Sequence, residues 1–350
     1  IHRFFGALSP NLLPFQTGRT VISVAEQMFG FVEEGKESER KSGRALAGRI
    51  YFSHALFAGL RRAYSQTWEG ETVSPFEPET PLRILGSPKP PSPALYFKYP
   101  NRGGYIRKWE LSPGKHHPQG RKFYLHHHPD DIAKQHWCTT PQNEQENCLQ
   151  KVKITPVKAG AVFHFHIDFD NLSRHELGLL LYSLQPTNQF RHKIGMGKPL
   201  GLGSVHIEPV GFFGINRQTR YSAGGLFGTD GQIAPRYHQV WLADGEDRSQ
   251  WPVRYERERN AAGETINITA LRDEFARAMD VDIRQALELL GDPSRVIHRV
   301  HSPLTEGNQD EETETYKWFV ANDQGSGQGT NKIRPQENHL EPLTKDRKST

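Results

Sequence analysis

The clearest alternation of apolar and polar positions is Val162-Phe-His-Phe-His-Ile-Asp-Phe169. Phe163, Phe165, Ile167 and Phe169 fall on one face, and His164, His166 and Asp168 on the other. Period two over eight residues predicts a half-buried strand with the aromatic face in the core. The next pattern is helical: Leu177, Leu180, Leu181 and Leu184 share a stripe behind Ser173 and Glu176, which have capping-box spacing, and Pro186 ends it. A second strand is predicted at Gly48–Phe57, with Ile50 and Phe52 inward and Arg49 and Tyr51 outward. Another is predicted at Ser204–Val210, with Val205 and Ile207 inward. Thr20–Phe29 has an apolar run that fits helix and strand alike. Helices are predicted from Thr269, with Leu271, Phe275, Ala278 and Met279 on one face, and from Asp282, with Ala286, Leu287 and Leu290. Gly291 and Pro293 stop the latter.

Between the Leu-striped helix and the Ser204 strand lies Gln189-Phe-Arg-His-Lys-Ile-Gly-Met-Gly-Lys-Pro-Leu-Gly-Leu-Gly-Ser204. Glycines at 195, 197, 201 and 203 let the backbone take positive φ and turn N–H groups outward. Arg191, Lys193 and Lys198 add charge and the segment has no carboxylate, so it suits anionic oxygens. It is not a nucleoside-triphosphate loop, because Pro199 follows Lys198 where Ser or Thr is needed and no helix signal follows. Strand, helix, glycine loop and strand together make half of a ferredoxin-like β-α-β-β-α-β arrangement, an α+β fold with the loop at one end of the sheet.

Composition adds a long irregular insertion. Prolines recur from Thr72 to Pro100, a density that argues against regular ladders. From Lys98 to Lys158 there are 11 Lys and Arg against 5 Asp and Glu, interleaved with Tyr105, Trp109, Tyr124 and Trp137. Cations beside aromatic faces fit single-stranded nucleic acid, and Arg121 and Lys122 are the adjacent basic pair. His126, His127, His128, His136, Cys138 and Cys148 lie in the same stretch. With no Cys-x-x-Cys pair, a structural zinc would have to draw on Cys138, Cys148, His128 and His136. The expected division is a ferredoxin-like domain over 1–215 with 70–158 as insertion, a hairpin and helical extension over 216–302, and a polar, partly disordered tail over 303–350.

The whole 350-residue chain is nearly balanced, 44 Lys and Arg against 40 Asp and Glu for a net +4, so a nucleic-acid surface has to be local. Two cysteines exclude a disulfide framework and fit a reducing, cytoplasmic setting. No apolar run approaches the ~20 residues that span a bilayer. The chain opens on Ile1, which predicts that it is a piece of a longer polypeptide.

Two segments resemble the RAMP superfamily, the ferredoxin-like proteins of CRISPR effector complexes. Ile194–Ser204 is similar to that family's glycine-rich loop after a helix. Gly48-Arg-Ile-Tyr-Phe-Ser-His-Ala55 is similar to a family strand that usually ends Ser/Thr-Asp-Ala. The long Pro- and His-rich insertion makes the chain look most like type III backbone subunits, including fused ones. The resemblance implies a CRISPR guide-RNA-binding subunit or domain, with target RNA alongside and other effector subunits as partners. It places RNA contacts at Arg191, His192, Lys193, Gly195, Gly197, Lys198, Gly201 and Gly203. It carries no catalytic aspartate onto this chain, because His54 stands in the aspartate position of that strand motif and the family's cleaving loop lies upstream of the match. The competing reading is a metal-independent endoribonuclease that processes CRISPR RNA precursors. Its acid and base would come from among His54, His126, His127, His128 and His192, of which spacing singles out no pair. A third is a docking role for the helical pair and acidic tail.

Overall fold

Within the apolar run ending at Phe29, residues Val24–Phe29 fold as a helix because Ser23 and Glu26 form a capping box: each side chain accepts from the other's backbone N–H, at 3.2 and 2.8 Å. In this computed structural model the described residues are 22–33, 44–61, 68–69, 74–82, 97, 111–118, 124, 126, 152–215, 217–222, 227, 238–242 and 267–295. Helix α1 (Val24–Phe29) ends at Gly30, whose φ is +77° and where a Cβ would lie 2.3 Å from the Leu46 carbonyl. Strands β1 (Phe31–Val32) and β2 (Ala45–Leu46) then pair antiparallel.

The centre is a bent antiparallel ribbon. Its first limb is β3 (Ile50–Phe52) and β4 (Leu56–Arg61), the latter flanked by β5 (Trp68–Glu69). Strands β6 (Thr80–Pro81) and β7 (Lys153–Ile154) pair at the base of the insertion. The returning limb is β8 (Ala161–His164) and β9 (Ile167–Phe169). Leu56 lies opposite His164, and Ile50 opposite Phe169. Both limbs break together: Ser53 N–H donates to His166 O at 3.0 Å and His166 N–H to Ser53 Oγ at 2.9 Å.

The β6–β7 ladder corrects the expectation that proline density excludes pairing there. Pro75 and Pro156 serve as acceptors only, taking the N–H groups of Lys158 and Glu77 at 2.8 Å each, while Leu82 supplies an N–H to Val152 O. A ladder tolerates proline where the missing N–H is not the one it needs.

Helix α2 (Arg174–Leu184) starts at the Ser173–Glu176 capping box that the spacing predicts. Leu180 packs with Met28 and Ile50 on the ribbon side, together with Ile167, Phe169 and Leu184. The chain continues through β10 (His192–Lys193), a 3₁₀ turn (Lys198–Leu200) and β11 (Ser204–Val205). After β12 (Gly211–Gly214), α3 (Arg217–Arg220) and β13 (His238–Leu242), with β12 and β13 paired, come α4 (Ile268–Ala278) and α5 (Val281–Gly291). Ile268 and Leu271 of α4 join Leu181 and Phe212 in a second cluster. A Cβ at Gly178 would lie 3.0 Å from both Leu271 O and Phe275 Cβ, so glycine permits the close α2–α4 approach. Helix α4 therefore shares the core of α2.

Three expected core residues are not core. Phe52, Phe163 and Phe165 are 53%, 40% and 39% exposed, whereas Ile50 is 5%. Alternation marked the face correctly in β9, but it does not carry across the break at Phe165 and His166: Phe163 and Phe165 are exposed and His164 is half-buried.

Candidate nucleic-acid interface

The glycine segment is a β-hairpin, not a link from helix to sheet end. His192 lies opposite Val205 and Lys193 opposite Ser204, and among the described residues these two strands pair only with each other. All four glycines are left-handed, with φ of +79° at Gly195, +70° at Gly197, +89° at Gly201 and +76° at Gly203. Gly203 is the most constrained, since a Cβ there would lie 1.9 Å from Ile194 O. The loop's own bonds run from Ile194 N–H to Gly203 O, from Leu200 and Leu202 N–H to Gly197 O, and from Gly201 N–H to Lys198 O. The N–H groups of Gly195 and Met196, at the exposed tip, take no part in them.

The three cations divide by role. Lys193 turns its ammonium inward, donating to the carbonyls of Gly201 and, at 3.1 Å, Leu202. Burial there lowers its pKa to about 8. It pins the loop shut rather than presenting charge outward. Arg191 engages the turn before the hairpin through Nη1, to Asn188 O at 3.2 Å and Phe190 O at 3.0 Å; a guanidinium has further donors to offer. Lys198 sits 6.0 Å from the centre of the Tyr124 ring.

His126 and His192 are committed to structure. His126 is 5% exposed and bridges the hairpin strands: Nε2 is 3.0 Å from Arg191 O and Nδ1 2.9 Å from Ser204 Oγ. A carbonyl only accepts, so Nε2 carries the proton and Nδ1 accepts from the hydroxyl. Burial, then Lys193, lowers its pKa to about 4, which keeps the ring neutral. Both nitrogens are used, so His126 is a latch between the insertion and the hairpin. It is not a free acid or base. His192 donates Nε2–H to Leu184 O at 2.7 Å, satisfying an orphan carbonyl at the α2 C-terminus, and its ring meets Phe190 edge-on at 4.9 Å. Phe190 in turn lies against Gly291 of α5, whose carbonyl accepts from Arg191 N–H at 2.7 Å.

Arg191, His192, Lys193, Gly195, Gly197, Lys198, Gly201 and Gly203 thus share one hairpin. His54 lies elsewhere, exposed at the break between β3 and β4. Arg121, Lys122, His127, His128, His136, Cys138 and Cys148 fall outside the described residues. Among the described residues no three His, Cys, Asp or Glu side chains are grouped to hold a metal. On the ribbon, His166 Nε2 meets Asp168 at 3.4 Å. None of the described helices is long and apolar enough to cross a membrane.

Sequence reasoning missed the role of Arg49. Its guanidinium pairs with Glu176 and donates to Asn171 O at 2.7 Å and Gln27 O at 3.0 Å, tying β3, α1 and the start of α2 together. The Arg49 hydrogen bond holds the Glu176 carboxyl below its ordinary range. No local signal marks it, because its carboxylate partner lies 127 residues away in the chain.

Compared with known protein families and with curated proteins, the chain matches no family model and no curated sequence.

Proposed function

We propose that this chain binds RNA through the 189–204 hairpin, as a non-catalytic backbone subunit or domain of a type III RNA-guided effector built on a ferredoxin-like core. Guide RNA is the ligand of the hairpin; target RNA and other effector subunits are the remaining partners. The observation that carries the reading is the hairpin itself: four left-handed glycines, N–H groups of Gly195 and Met196 outside the loop's own bonds among the described residues, Lys198 in the loop, Arg191 at the base, and no carboxylate in the segment. Exposed amides with cations in the same segment suit phosphate oxygens. The endoribonuclease alternative is weaker at this site because His126 and His192 spend Nε2 on backbone carbonyls.

Arg191→Ala and Lys198→Ala should each weaken binding of a repeat-derived RNA severalfold, with unchanged thermal stability. Equal affinity of the double variant and the parent would remove the hairpin from the interface. Incubation of the parent with the same RNA in EDTA should leave it intact; cleavage that survives EDTA would favour the nuclease reading.

A further inference from the structure

The insertion meets the hairpin through Tyr124 and His126, which are neighbours but one in the chain. His126 is buried at the hairpin's base, between Arg191 O and Ser204 Oγ. Tyr124 is half-buried against the loop, its ring centre 6.0 Å from Lys198 Nζ. The same short stretch of chain therefore touches both ends of the hairpin.

Lys198 opens the 3₁₀ turn Lys198–Leu200, between left-handed Gly197 and Gly201. That turn fixes its backbone, since Lys198 O accepts from Gly201 N–H at 3.0 Å. It does not fix the side chain. A lysine has a flexible four-carbon stem, and ordering such a stem on a ligand costs affinity unless the free protein has ordered it already. Lys193 is ordered by the carbonyls of Gly201 and Leu202, which use up its donors. Lys198 meets a ring instead. An aromatic face attracts an ammonium through its quadrupole and carries no countercharge, so the full positive charge stays available to an anion. A carboxylate in the place of Tyr124 would order the lysine and neutralise it.

We infer that Tyr124 is a positioning residue of the nucleic-acid site: anchored through His126, it holds the Lys198 ammonium in place for a phosphate of the bound strand. This rests on the proposed reading of the hairpin as a polynucleotide site. It makes the 70–158 insertion a contributor to affinity through a residue that acts on a cation of the hairpin and needs no contact with the ligand.

The test measures fluorescence anisotropy of the full chain with a labelled oligouridylate. Tyr124→Leu should weaken binding about threefold, and Tyr124→Phe, which keeps the ring face, should bind as the parent does. In a chain already carrying Lys198→Ala, Tyr124→Leu should have no further effect, because the group it positions is gone. Phenylalanine analogues with successively more ring fluorines at position 124 keep the ring's shape while draining negative charge from its face. Affinity should fall along that series at an unchanged urea midpoint, which a packing role does not produce, and the series reads the contact even where Tyr124→Leu impairs folding. Equal losses from Tyr124→Leu with and without Lys198, or uniform affinity across the fluorinated series, would show that Tyr124 does not act through Lys198 and overturn the inference. If Tyr124→Leu binds as the parent does while Arg191→Ala and Lys198→Ala weaken binding, the positioning role is wrong and the hairpin reading stands. If Arg191→Ala and Lys198→Ala also bind as the parent does, the hairpin reading falls and the positioning role with it.

Discussion

The glycines of the hairpin differ in what they protect, and substitution should separate them. Gly195 is left-handed with open space around its missing side chain, so Gly195→Ala carries only the conformational penalty of ~1–2 kcal/mol. Gly203→Ala adds a collision with the Ile194 carbonyl and should cost more, disrupting the β10–β11 pairing; urea unfolding and amide exchange of the hairpin measure both. His126 sets a pH dependence. Its folded pKa of about 4 lies below the ordinary 6.5, so between those values the unfolded chain binds the proton and the folded one does not. Stability therefore falls as pH drops from 6.5 towards 4, by on the order of 3 kcal/mol. His126→Gln should flatten that interval in urea titrations; an unchanged slope would place the acid sensitivity elsewhere. Glycine spacing announced the left-handed residues, because no other side chain adopts that region as readily. The inward turn of Lys193 was not legible, since nothing local distinguishes it from Lys198.

Among the elements, α2 shows where local signals suffice. Ser173, Glu176 and the leucine stripe lie within a dozen residues and carry their information with them. The Arg49–Glu176 pair joins positions 127 apart, and the β10–β11 hairpin rests on strands of two residues each, too short for alternation to register. Arg49→Ala leaves a mostly buried carboxylate with only the Ser173 N–H as donor and takes the guanidinium from the Asn171 carbonyl, so it should cost ~2 kcal/mol. Urea midpoints check this, and RNA affinity of the folded variant should be unchanged. By contrast, alternation put Phe163 and Phe165 on the core face, whereas both rings are exposed and His164 and His166 are half-buried. Period predicts a face only where the strand is continuous, and this one breaks at Phe165 and His166.

Across the molecule, α4 is fixed to α2 by Leu271, Phe275 and Gly178, and the end of α5 is fixed to the hairpin base by Gly291. The helical extension expected beyond residue 216 is thus part of the support for the hairpin. A chain ending before Asn267 should lose cooperative unfolding, seen as a broadened urea transition, whereas an independent extension would leave the transition intact.

The most direct measurement is the dependence of RNA affinity on salt. Polyanion binding at the hairpin predicts a straight line of log affinity against log salt with negative slope. Removing Arg191 and Lys198 together should make the slope shallower by about 1.4, at ~0.7 per single-strand phosphate contact. A slope identical in parent and double variant, or no dependence on salt, would contradict the assignment of the hairpin to RNA phosphates.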